Sequence, residues 1–233
     1  MHAIFHWMKR IYIALLVLTF SGLQAQIHEI GVFAGGANYI GEVGKTNYIN
    51  PNEPVFGFLY KWNRSPRHSY RFAFNWGKIS ANDLDSDIPG RQRRGNRFEN
   101  SVRELAVGME FNFFEFDLHE MDRQFTPYVF TGLTYTFYDE LYTVNRETRT
   151  DKSSSTLAIP MVVGIKTNIA DHWILGFEVG ARYTFSDNLD GSQPKNDRYA
   201  ALRYGNLESN DWYVFTGVTL TYTFGNKPCF CAD

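Results

Sequence analysis

Arg71, Glu110, Lys166, Glu178 and Arg182 each adjoin at least one bulky apolar residue in stretches that alternate with a period of two. An extended strand sends successive side chains to opposite faces, so all five would turn away from the apolar row. Charges placed together out of water satisfy one another as ion pairs, or else line an ion path or serve as paired catalytic carboxylates. The first reading predicts a structural charge network, and the other two need an open or reactive cavity.

Other residues with chemical potential are scattered. His2 and His6 lie in the amino-terminal leader, and His28, His68, His119 and His172 map to short turns or strand ends. None sits on a long loop, which argues against a surface hydrolase built on histidine. Asp83, Asp85 and Asp87 form a D-x-D-x-D run of the kind that can hold calcium. Ile88 stands where an EF-hand needs glycine and Arg94 where it needs glutamate, so a solvated acidic loop is expected instead. Arg91, Arg93, Arg94 and Arg97 follow it, suited to contact lipopolysaccharide phosphates or a partner, or else to balance those aspartates in an exposed loop. No metal or cofactor is implied. A formal net charge of −2 gives no reason to expect nucleic acid.

The elements that must position the five charges are strands. Tyr70–Gly77 is the clearest, with aromatic residues at every even position and small or polar ones between. Leu105–Phe113, Trp173–Phe185 and Trp212–Phe224 repeat the pattern, and Ile30–Ile40, Val55–Trp62, Pro127–Phe137 and Leu157–Thr167 complete a set of eight. Strands of this length with one apolar face are the transmembrane β signature. The expected fold is all-β, an eight-stranded antiparallel up-and-down transmembrane β-barrel. A soluble sandwich or lipocalin-like barrel would also alternate, but its core would then hold Glu110, Lys166, Glu178 and Arg182. Barrels of eight strands are just wide enough for side chains to fill, which disfavours a pore. Pro160 falls on the inward face and must mark a bulge or a locally unpaired position, since proline cannot donate to the ladder.

Three regions divide the chain. Residues 1–25 read as a signal peptide: Lys9 and Arg10, the apolar run Ile11–Phe20, then small residues ending at Ala25. Residues 26–224 form the barrel. Its long connections, near 43–53, 81–100, 138–156 and 186–211, alternate with short ones, which places long loops outside and both termini in the periplasm. Residues 225–233 are a tail carrying the only two cysteines, Cys229 and Cys231, beside Lys227 and Phe230. An intermolecular disulfide to a periplasmic partner, free thiols and a Cys-x-Cys bridge are all open to it. The preceding Leu220–Phe224 resembles the terminal β-signal read by barrel assembly machinery.

Several stretches are similar to the PorG family, the outer-membrane barrel of the type IX secretion system of the Bacteroidota. They are Glu29–Gly41, Arg103–Phe113, Pro127–Gly132, and Ile159–Lys166 through Asp187–Asp190. The resemblance covers almost the whole chain after the leader. It implies a non-enzymatic anchor for a periplasmic ring made of a lipoprotein (PorK or GldK) and its partner (PorN or GldN), in a machine that exports proteins and supports gliding. Outer-membrane lipid or lipopolysaccharide would surround it. The alternatives are a stand-alone barrel with an adhesin or membrane-stability role, and a barrel enzyme or small channel.

Overall fold

The computed structural model describes residues 27–118, 122–206 and 209–225. The expected signal peptide, His119 and the tail residues Lys227, Cys229, Phe230 and Cys231 lie outside them.

Eight antiparallel strands close into one barrel in sequence order: β1 (Ile27–Ile40), β2 (Glu53–Asn63), β3 (His68–Asn82), β4 (Arg97–Asn112), β5 (Phe125–Val144), β6 (Glu147–Ala170), β7 (Trp173–Thr184) and β8 (Trp212–Phe224). All eight expected strands are present. Alternation decides their facing. Tyr70, Phe72 and Trp76 are exposed while Arg71, Ala73 and Asn75 are buried, and the same parity runs through β4 and β7. Exposed Val32, Phe58, Val107, Val163, Phe177 and Val218 form part of an apolar belt around the outside. An uninterrupted apolar surface of this kind is stable only against an apolar solvent. Tyr60, Tyr70, Trp173 and Tyr222 edge the belt near the terminal rim, and Trp76, Tyr135, Tyr183 and Trp212 edge it near the other. Among the described residues no helix is long and apolar enough to cross a membrane.

The seam that closes the barrel pairs β1 with β8 from His28↔Phe224 to Ile40↔Trp212. Gly35 faces Gly217 there, and a Cβ at Gly35 would stand 2.6 Å from the Gly217 Cα. Only glycine lets the two backbones meet so closely at that point.

The strands outrun the belt on one side. The expected loop 138–156 is instead a β-hairpin: β5 and β6 stay paired to Val144↔Glu147, with a bulge at Glu140/Leu141. Asn145 and Arg146 form the turn at φ 54° and 71°, the two positive angles that match the twist of a tight hairpin. Seven residues beyond Phe137 at about 3.3 Å each give roughly 23 Å of extension. The expected loop 81–100 likewise shrinks to 83–96, which holds a 3-10 turn (Asp83–Asp85) and the short helix α1 (Pro89–Arg94). Pro160 is buried and pairs with Arg182 of β7, while the β5–β6 pairing skips residues 132–133 and 159–160. The ladder opens where proline has no N–H to give.

Candidate functional site

The five charges expected inside are all buried in the lumen, and three more join them. Glu110 from β4 receives Lys61 Nζ of β2 at 2.8 Å and Lys166 Nζ of β6 at 2.7 Å on the same oxygen. Arg71 of β3 forms a two-pronged pair with Glu178 of β7 at 2.7 and 2.8 Å and reaches Glu110 at 3.6 Å. Lys61 also lies 3.9 Å from Glu29 of β1. One layer nearer the loops, Arg182 of β7 donates to Glu104 of β4 at 2.9 and 3.2 Å. Glu29, Glu104, Glu110 and Glu178 are thus matched by Lys61, Arg71, Lys166 and Arg182, four of each sign.

Neutral donors add to the network, while Glu110 Oε2 and Arg71 Nε stay buried without a hydrogen bond. Tyr128 donates to Glu178 at 2.7 Å, Tyr213 and Asn75 to Glu104 at 2.7 Å each, and Asn63 and Thr221 to Glu29 at 3.0 and 2.8 Å. Each of the four cations has an acid within ion-pair distance. The Arg71 and Arg182 guanidinium groups also lie over the rings of Phe130 and Phe215, at 4.9 and 4.3 Å. Above this layer an apolar plug of Phe33, Tyr39, Phe98, Tyr138, Tyr213 and Phe215 occupies the lumen. Charged rungs below and aromatic packing above fill this part of the interior with buried side chains.

Sequence reasoning missed Glu29, Lys61 and Glu104. Glu29 and Glu104 each precede by one residue the strand as read, and both carry the inward parity of that strand. Lys61 lay within Val55–Trp62 at inward parity, in line with Val55, Gly57 and Leu59.

The loop rim carries a folded cap. Asp83 is fully buried, which corrects the expectation of a solvated acidic loop. It accepts from Arg94 at 2.7 and 2.9 Å and from the backbone N–H groups of Gly44 and Asn96 at 3.0 Å each. Arg91 donates to the carbonyls of Gly44 and Gly41, both at 2.7 Å, and Arg94 also to that of Glu42 at 2.6 Å. Two of the four clustered arginines therefore clamp α1 onto the β1–β2 loop, and Arg97 pairs with Glu147. Arg93 stays exposed. Asp85 and Asp87 are exposed and build no EF-hand with Asp83. His28, His68 and His172 lie at the opposite rim, at the starts of β1 and β3 and in the β6–β7 turn.

A closed eight-stranded barrel with an apolar exterior and a neutralised, packed interior is a small β-barrel of the outer-membrane type. The chain matches the family described as "Domain of unknown function (DUF6089)" over residues 8–233 and belongs to it. No curated protein matches it. Among solved structures it is similar to Ail, the attachment invasion locus protein of Yersinia pestis, in complex with the heparin analogue sucrose octasulfate. That match has 9% identity and a TM-score of 0.46, and covers 86% of this chain and 100% of Ail. Neisserial surface protein A matches at 8% identity and TM-score 0.43, covering 85% and 95% of the two chains. OprG from Pseudomonas aeruginosa matches at 9% and 0.42, covering 87% and 98%.

Proposed function

We propose that the protein is a non-enzymatic outer-membrane component of the type IX secretion system that anchors the periplasmic lipoprotein ring. The observation that carries this reading is the filled lumen. A barrel packed with matched charges and aromatic side chains is a fixed post, and its use lies at its rims. The similarity of Glu29–Gly41, Arg103–Phe113 and Ile159–Lys166 to the PorG family supplies the partner: a PorK- or GldK-type lipoprotein with its PorN- or GldN-type companion. In this reading residues 1–25 are removed on export and both termini face the periplasm. The tail meets the ring through Lys227, Cys229, Phe230 and Cys231, with one cysteine disulfide-bonded to the lipoprotein. Crosslinking in the native envelope followed by mass spectrometry of the purified intact protein should recover both ring proteins. Non-reducing gels should show a heavier band that vanishes in the double variant Cys229→Ser, Cys231→Ser. Purification that recovers no ring protein overturns the proposal.

A second reading, a stand-alone barrel acting as an adhesin or membrane stabiliser, is favoured by one feature. The β5–β6 hairpin projects well past the belt and presents its polar tip to solvent. Deleting Leu141–Thr150 should then abolish surface binding and leave secretion intact. Loss of secretion in that variant eliminates this reading.

A further inference from the structure

Four acids converge beneath the cap. Glu42 comes from the β1–β2 loop, Asp187 and Asp190 from the first part of the β7–β8 loop, and Asp211 from its last residue. Carboxylate oxygens of Glu42, Asp187 and Asp211 all lie within 4.8 Å of one another. Asp190 is fully buried beside them, close enough that its charge acts on both Asp187 and Asp211.

The partners around this cluster are unequal. Asp211 is satisfied, accepting from the Tyr39 hydroxyl and from Leu189 N–H at 2.8 Å. Glu42 accepts from Ser209 at 2.6 Å on one oxygen. Asp190 accepts from Ser192 N–H at 2.8 Å on one oxygen, and its other oxygen is buried with no hydrogen bond. Both oxygens of Asp187 are shielded from solvent and accept no hydrogen bond. Among the described residues no salt bridge reaches any of the four, and the nearby Arg94 is committed to Asp83. Three orphaned carboxylate oxygens beside two satisfied acids form a costly arrangement unless something positive lies between them.

We propose that Glu42, Asp187 and Asp211, with Asp190 behind them, bind one calcium ion that staples the β7–β8 loop to the β1–β2 loop. The donors are all hard oxygens, with no histidine or cysteine among them, which is the set calcium takes. A calcium ion lies about 2.4 Å from each ligand, so oxygens up to roughly 4.8 Å apart can share it. The site rests on loop geometry and is independent of the secretion reading.

Calorimetric titration of the folded full chain in detergent, stripped with EDTA and then given calcium chloride, tests this. One ion per chain should bind with a Kd of about 10−4 to 10−3 M, the range of extracellular sites. Asp187→Asn should weaken it at least tenfold, and Glu42→Gln similarly, while Asp85→Asn on the exposed loop leaves it unchanged. Calcium should also protect residues 186–211 from protease in the parent and not in Asp187→Asn. No uptake by the parent, uptake indifferent to Asp187→Asn and Glu42→Gln, or preference for magnesium each overturns the site.

Discussion

Glu110→Gln removes one negative charge and almost no volume from the middle of the lumen. Lys61 and Lys166 lose the oxygen they share at 2.8 and 2.7 Å, and Arg71 loses its second acid at 3.6 Å. The lumen passes from four acids and four bases to three and four. Removing one partner of a buried pair costs about 3–5 kcal/mol, because the remaining charge is stranded out of water. Three cations converge here, and the amide oxygen of glutamine retains part of the hydrogen bonding, so about 4 kcal/mol is expected. With a urea dependence of about 2 kcal/mol per molar, the unfolding midpoint should drop by roughly 2 M. The assay is urea unfolding of protein refolded into liposomes, followed by tryptophan fluorescence and protease resistance. Adding Lys166→Met restores three and three and should recover about 1–3 kcal/mol. A midpoint for Glu110→Gln equivalent to less than about 1 kcal/mol from the parent refutes the reasoning. So does a double variant no more stable than the single one.

Four further outcomes follow from the geometry. Arg146→Gly relieves a non-glycine residue at φ 71° and should stabilise the hairpin by about 1 kcal/mol, read as a raised unfolding midpoint. Arg94→Ala strands the buried Asp83 carboxylate and should cost about 2 kcal/mol, with faster proteolysis of residues 83–96. In EDTA, the stability of the cap should fall as pH rises from about 4 to 8. Asp187 titrates near 7 when folded against an ordinary value of 3.8, so the folded state holds the extra proton across that window and loses its advantage as the proton leaves. The groups facing it are Glu42, Asp190 and Asp211, with Tyr39 on Asp211 and Arg94 over the Tyr204 ring. Protease resistance of the cap that rises with pH would contradict this. Planar bilayers holding the parent protein should show no conductance steps, and a stable open level would disprove the packed lumen.

The strands were legible wherever they cross the apolar belt, because lipid demands an unbroken row of apolar side chains on one face. Leu105, Val107, Met109 and Phe111 therefore placed Glu110 inside without any structure. Above the belt that demand ends. Asp139, Ser153 and Ser155 still pair across β5 and β6, yet their outward face meets water and carries no hydrophobic rhythm. The hairpin consequently read as a loop, and the same trimming of strand ends cost Glu29 and Glu104. The buried role of Asp83 was hidden because its partners, Gly44, Arg94 and Asn96, come from two loops. The acidic cluster likewise draws on residues 42, 187 and 211, whose meeting only the closed barrel decides.

The seam between β1 and β8 has a consequence for biogenesis. Glu29 near the beginning of the chain receives its hydroxyl from Thr221 near the end, and both flank the pairing that closes the ring. A polypeptide truncated before Trp212 offers the first strand no neighbour on that side and leaves Glu29 without one of its donors. Both β1 and β7 would then present bare edges in a medium with no water to cover them. Closure thus proofreads length: only the finished product can become a ring, and an interrupted one stays an open sheet recognisable to proteases.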